Sequence, residues 1–338
     1  MLLRQRNKTN ILGVLMTAVA LAVIVSTPSF AQASKTNTAN TLKIAPVRSD
    51  ITINPGETKS VPVTVTNLTA SPISVRPSAN DFVAGDERGT PALILDDTKF
   101  APTHSLKRFM QPLKDTVIPA KKATTFNVII KVPKDAQAGG YFGALRFSPS
   151  SPDTGGEVNL SASVASLLLA TVTGPVTEKL NMTNFEIQQN KKTGTHFQSS
   201  NDLSALVRFE NKGGLQIGPF GKLFVKQGDK VVYETDFNEN TPREMILPDS
   251  ARRWDIPLKN IGSFGNYTVS AVFSYGSKNE TITIEKSFWV IPQLVIFATI
   301  GGVVLLILLI VGIWLFLRNY KRRVLRSHGG GHRGGFRR

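Results

Sequence analysis

The sequence predicts an all-β chain: two tandem immunoglobulin-like β-sandwiches, with an N-terminal signal peptide before them and one C-terminal transmembrane helix after them. Three observations predict it. First, apolar residues alternate with polar ones in many short runs, such as Val61, Val63, Val65 and Phe126, Val128, Ile130, Val132, each bounded by Gly, Pro, Asn or Asp. Period two buries one face of a strand and wets the other. Second, two long stretches lack any charge, one near each end. Third, the net charge of +16 over 338 residues is concentrated beside those stretches. Eleven of the 40 basic residues lie in 1–33 and 318–338, where there is no acid. That pattern is membrane topology, and it argues against nucleic acid as a partner.

Residues 1–33 carry Arg4, Arg6 and Lys8, then ILGVLMTAVALAVIV (11–25), Pro28 and the small-residue site Ala31-Gln32-Ala33. Basic, apolar and small segments in that order read as a secretory signal peptide, cleaved after Ala33 or, second, after Ala31. An uncleaved anchor helix is the alternative.

The first sandwich is expected over 42–174, with strands near 42–53, 60–67, 73–80, 92–95, 115–118, 124–132, 141–147 and 161–172. Asn54-Pro55-Gly56-Glu57 has the chemistry of a turn, because Pro presets φ and Gly permits a positive one. Pro62 cannot donate to a ladder, so its strand is an edge or carries a bulge there. VASLLLATV (164–172) reads as a strand buried on both faces, with a short buried helix as the alternative. Gly174-Pro175 marks a boundary.

The second sandwich is expected over 176–291, with strands near 176–187, 203–211, 221–226, 230–236, 244–247, 254–258, 266–273 and 281–291. Gln227-Gly228-Asp229-Lys230 reads as a hairpin turn. Tyr267, after Gly265, is either a tyrosine corner or an ordinary half-buried strand tyrosine.

LVIFATIGGVVLLILLIVGIWLFL (294–317) has 24 residues without a charge. At ~1.5 Å per residue that is ~36 Å of helix, enough for a hydrocarbon core of ~30 Å. Trp289 and Trp314 fall near its two interfaces, and Pro292 punctuates the entry. The cluster Arg318, Lys321, Arg322, Arg323 and Arg326 reads as a topology and anionic-lipid cluster at the start of a cytoplasmic Gly/Arg-rich tail (318–338). Residues 34–291 then lie outside. Gly-Arg segments also bind RNA, but beside a membrane the lipid and topology reading is favoured. Ala298 and Gly302 have small-xxx-small spacing, which leaves a homo-oligomer through the helix open.

The absence of cysteine excludes disulfide frameworks, thiolate metal sites and cysteine nucleophiles. It also suggests a bacterial surface. No P-loop, G-x-S-x-G elbow, H-E-x-x-H or EF-hand loop occurs. His104 and His196 lie in polar loops without a local orienting carboxylate and read as solvent histidines. Asp96-Asp97, Asp81 and Asp86-Glu87 read as solvated loop charges rather than a calcium site. No cofactor and no metal is expected, and no enzyme; a hydrolase with a composite site is the last alternative. Asn67, Asn181, Asn266 and Asn279 open N-x-Thr triplets, which arise by chance in such sequence.

The long segment 98–114 (TKFAPTHSLKRFMQPLK) mixes cations with aromatics. Long loops often carry function, so Lys99, Phe100, Lys107, Arg108 and Phe109 are the candidate ligand-binding set, suited to an anionic wall glycan. The competing reading is a packed crossover whose Phe residues plug the sandwich end.

VPKDAQAGGYFGALRF (132–147) and IAPVRSDITINPGETKSVPVTVTN (44–67) resemble the first domain of the WxL-interacting proteins, surface proteins of Gram-positive bacteria. VRFENKGGLQIGPFGKLFVKQGDKVV (207–232) is similar in style to membrane-proximal immunoglobulin-like domains. The resemblance covers most of the chain in layout and the first domain in motif. It implies an anchored surface protein whose first domain associates with peptidoglycan and whose second binds extracellular proteins carrying Trp-x-Leu motifs. The expected partners are therefore cell-wall glycan, an extracellular surface protein, or both, together with the lipid bilayer. A scaffold or chaperone-like subunit of a membrane assembly is the alternative.

Overall fold

The computed structural model describes residues 41–149 and 162–327, and of 322–327 the backbone alone. The expected signal peptide and the tail from 328 onward lie outside the described residues.

The first half contains β1 (Leu42–Ala45), β2 (Arg48–Ile53), β3 (Thr58–Asn67), β4 (Ile73–Ala84), β5 (Pro91–Leu93), β6 (Thr116–Ile118), β7 (Ala123–Lys131), β8 (Gly139–Pro149) and β9 (Val164–Val172). They form two sheets, one ordered β1-β3-β7 and the other β2-β9-β8-β4-β5 with β6 also paired to β4. Alternation fills the space between them. Val61, Val63 and Val65 of β3 and Phe126, Val128 and Ile130 of β7 face Leu145, Phe147, Leu168 and Ala170 in one core. Each fully buried Val or Leu contributes about 2 kcal/mol by leaving water. The 164–172 run is a strand, as expected, and lies inside the sheet between β2 and β8.

The expected first strand, 42–53, is two strands. β1 pairs with β3 in one sheet, and β2 runs parallel to β9 in the other. Pro46 and Val47 make the crossing, where Pro has no N–H to give a ladder. The same break explains Pro62. Odd residues of β3 bond β7, as Asn67 N–H does to Lys122 O at 2.9 Å. Pro62 therefore turns its missing donor to the other side. There β1 reaches only as far as the Ala45–Thr64 pair, so Pro62 lies on a local edge. At 54–57 the turn closes with Glu57 N–H to Asn54 O at 3.0 Å, and Gly56 has φ +80.

The second half contains β10 (Leu180–Gln189), β11 (Lys192–Thr193), β12 (His196–Phe197), β13 (Leu203–Asn211), β14 (Phe220–Gln227), β15 (Lys230–Phe237), β16 (Ala251–Pro257), β17 (Gly265–Tyr275) and β18 (Glu280–Val290). Their sheets are ordered β11-β10-β13-β16 and β12-β18-β17-β14-β15. Aromatic rings dominate the core between them. Phe273 stands edge-on to Phe209 and Phe237 at centroid distances of 5.1 and 5.0 Å, a favoured arrangement of ring quadrupoles. Tyr267 is buried, and its hydroxyl donates to Phe264 O at 3.4 Å, the corner geometry of the two expected readings. The expected strand at 244–247 is absent. That stretch makes one bridge, Ile217 to Ile246, and otherwise runs as a loop. The short β11 and β12 were not expected.

The two halves share one device. Asn67 ends β3 and Asn211 ends β13, both fully buried. Asn67 donates Nδ2 to Ser71 O and Ile118 O, at 2.8 and 3.1 Å, and accepts Thr69 N–H at 2.9 Å. Asn211 donates to Leu215 O and Ile246 O, at 2.7 and 2.9 Å, and accepts Gly213 N–H at 2.9 Å. The offsets are the same, two and four residues on. Burial closes Asn67 to glycosylation; Asn181, Asn266 and Asn279 are exposed.

The halves meet through a smaller apolar cluster. Phe82, Phe142, Ala144 and Leu169 are buried on the outer face of the first half's larger sheet, with Leu247 of the second half against them. Polar bonds frame it: Gly140 N–H to Gly214 O at 2.8 Å, Arg253 N–H to Glu87 O at 2.6 Å, and Gln216 Nε2 to Thr171 Oγ1 at 3.0 Å.

The last element is α1 (Gln293–Ser327), a helix of 35 residues. One stretch of it, Gln293–Lys321, is long and apolar enough to cross a membrane. Ile291 and Pro292 alone separate it from β18.

Candidate functional site

The segment from β5 to β6 is pinned from beneath by β4. Asp81 is fully buried. Its carboxylate accepts Ala101 N–H at 2.8 Å and Lys107 N–H at 2.9 Å. Asn80, also fully buried, donates to Ile94 O at 2.9 Å and accepts from Arg146 Nε at 3.2 Å. Leu106 and Met110 enter the core, and Gln111 N–H reaches Ile129 O of β7 at 2.9 Å. Asp81 is thus a structural anchor, not the solvated loop charge expected. His104 is likewise half-buried rather than solvent-facing. Its Nδ1 lies 2.6 Å from Gly140 O, so that nitrogen carries the proton, and its ring lies 5.9 Å from Phe142.

On this support the structure brings four of the five candidate residues together. A short 3₁₀ turn, Lys107–Phe109, presents the cations. Lys107 Nζ donates to Asp97 O at 2.7 Å and Lys99 O at 2.9 Å. Both Lys107 and Arg108 lie over the Phe100 ring, at 5.0 and 4.6 Å from its centroid. Lys99 pairs with Asp96 at 3.3 Å. Thr98, through its hydroxyl and its N–H, and then Lys99 hold the Asp96 carboxyl down to about 2. Phe109 turns away and packs on Tyr141 with centroids 4.9 Å apart. A cleft of about 430 Å³ runs alongside, lined by Arg76, Asp97, Phe100, Lys107, Met110 and Leu113 among others. The chemistry on offer is cationic donors beside an exposed ring whose face is engaged by the chain's own cations. Anion contact follows from that arrangement more readily than sugar stacking.

A second site, between the halves, was not expected from the sequence. A cleft of about 180 Å³ is lined by Arg48, Phe82, Leu169, Glu244, Leu247 and Arg252 among others. Arg48 donates Nη1 to Arg243 O at 2.8 Å. Arg252 donates to Glu244 at 2.5 Å and to Met245 O at 3.1 Å, while its buried Nε has no protein partner. Burial pulls this guanidinium below its usual value, against the attraction of Glu244. An unsatisfied donor in an apolar cleft suits a carbonyl or carboxylate oxygen. At the rim Glu87 takes Arg208 in a two-pronged pair, at 2.7 and 3.1 Å. The residues come from 48, 82–91, 167–169 and 242–252, so no local motif announces the site.

Of the basic cluster, Arg318 and Lys321 are exposed on α1, and Arg318 lies 5.2 Å from the Trp314 ring centre. The side chains of Arg322, Arg323 and Arg326 are outside the described residues. Among the described residues no group of three or more His, Asp or Glu is placed to hold a metal ion.

No family model and no curated protein matches the chain. Solved structures give distant likenesses. The chain is similar to one from a chaperone–tip adhesin complex of CFA/I fimbriae biogenesis, at 14% identity over 72% of this chain and 98% of that one, with a TM-score of 0.39. It is similar to the class 5 fimbriae chaperone CfaA at 12% identity over 73% and 98%, with a TM-score of 0.38. For the E. coli chaperone DraB the values are 15% identity, 73% and 96%, and 0.34. Scores this low carry no argument about partner or activity.

Proposed function

We propose that the chain is a bacterial surface protein that binds cell-wall polymer, another extracellular surface protein, or both, through its sandwiches, as the WxL-interacting proteins it resembles do. In this reading α1 holds it in the membrane, residues 34–291 lie outside, and the basic tail lies in the cytoplasm. The reading rests above all on one observation: two residues separate the last strand of a paired sandwich unit from an apolar helix. Such a chain presents a broad folded surface at a fixed place on the membrane, which is what a binding protein needs. The Lys99–Arg108 patch then supplies contacts to anionic polymer.

The test is crosslinked pulldown by the full-length chain from cells, scored against isolated wall and secreted protein. Recovery with wall or a secreted partner is expected, and Lys107→Ala with Arg108→Ala should reduce wall recovery several-fold. Equal recovery by the double variant rejects the patch. The cleft between the halves favours one second reading, a chaperone-like subunit that holds another exported protein. That reading predicts a partner in the membrane complex and none in the wall fraction.

A further inference from the structure

We infer that the end of the second sandwich nearest α1 is itself seated on the lipid surface, with Phe264 and Trp289 in the headgroup layer and a rim of lysines against anionic lipid. This rests on the reading of α1 as membrane-spanning.

Register places the parts. β18 runs into α1, and its last residue, Val290, pairs with Gly265, the first of β17. Phe264 is therefore beside Ile291, at the level where the chain leaves for the helix. The ends of β14 and β15 lie at the same level, because Lys226 pairs with Thr268 and Gln227 with Lys230. The strap carrying β12 binds there too. Trp289 N–H donates to Thr195 O at 2.7 Å and Ile291 N–H to Phe197 O at 2.8 Å, and Gln293 bonds Gln198 at 2.7 Å. The exit point is thus fixed to the sandwich on both sides, and this end cannot stand far from the bilayer.

Two large rings are uncovered at this end: Phe264 is 54% and Trp289 41% exposed. Neither fills the core, while Tyr267 beside them is 1% exposed. The loops and strand ends around them carry exposed Lys191, Lys192, Lys230 and Lys259, against Asp202 and Asp229. Aromatic rings with a basic rim match the headgroup layer of an anionic bilayer. The opposite end of this sandwich, at the 212–219 and 238–250 loops, is taken up by the first half.

The chain has no cysteine, so single nitroxide labels are clean. Labels at Ser263→Cys, Thr281→Cys and Leu305→Cys are read in full-length chain in vesicles of phosphatidylcholine and phosphatidylglycerol. The readout is accessibility to dissolved oxygen relative to a water-soluble nickel chelate. The ratio at 263 should fall between those at 305 and 281, and Phe264→Ser should move it to the value at 281. A 305 label in lipid with a 263 label as wet as 281 overturns the seating alone. A 305 label in water overturns the spanning reading beneath it. An unchanged ratio in Phe264→Ser overturns Phe264 as the anchor.

Discussion

Asn67 and Asn211 show how much one side chain does when it is buried and fully bonded. Each holds a strand end to the loop that follows and to a carbonyl far along the chain. Removing either leaves buried carbonyls and an N–H without partners, a loss of about 3 kcal/mol. Asn67→Ala and Asn211→Ala should each lower the urea midpoint of their own half by a corresponding amount, whereas Asn266→Ala, exposed, should not. Glu87 gives a pH-dependent case. Arg208 lowers its carboxyl from 4.5, so the folded state favours the ionised form. That contribution is full above 4.5 and is lost as pH falls through the lowered folded value. The Glu87 side chain is 46% exposed, and screening by water limits the contribution to about 0.5 kcal/mol. The stability gap between wild type and Glu87→Gln should therefore be small but measurable near neutral pH and should close in acid. Neither role was legible in the sequence. Asp81 and Glu87 look alike as loop acids; the segment packed above β4 makes Asp81 an anchor, and Arg208 of β13 makes Glu87 a bridge. The half-buried place of His104 is hidden for the same reason: its partner, Gly140 O, is remote in sequence.

At the scale of elements, alternation carried most of the reading. β3, β7, β13 and β17 each bury every second residue, and burial of one face leaves period two in the sequence. The failures occur where a backbone bond, not a buried face, decides. β1 and β2 separate at Pro46 because the chain changes sheets there, and the short 244–247 run finds only one bridging partner. Gly221 is the sharpest element-scale dependence. It lies in β14 with φ +154, and a Cβ there would run into the Val272 carbonyl of β17. Gly221→Ala must push two central strands apart, and should cost about 2 kcal/mol or more. Hydrogen exchange should show the loss first in β14 and β15, with β10 and β13 still protected.

At the scale of the whole molecule, α1 and the sandwiches demand different solvents. The most apolar part of α1 is 0% buried in the fold, so its side chains have no protein cover to remove them from water. A stretch apolar on every face suits lipid, and this one is long enough to cross a membrane. The sandwiches bury their apolar faces in two cores of their own and need none. With Ile291 and Pro292 as the whole connection, the proposed placement of α1 puts the lipid surface within a few residues of β18. The proposed orientation rests on charge: Arg318 and Lys321 follow the apolar run, and basic residues flanking a span favour the cytoplasmic side. Protease added to intact cells should remove residues 41–291 and leave a membrane-held fragment that an antibody to the tail detects at unchanged intensity. Opening the membrane before digestion should abolish that signal. A tail lost from intact cells, with the sandwiches spared, reverses the orientation and removes the ground for an extracellular partner.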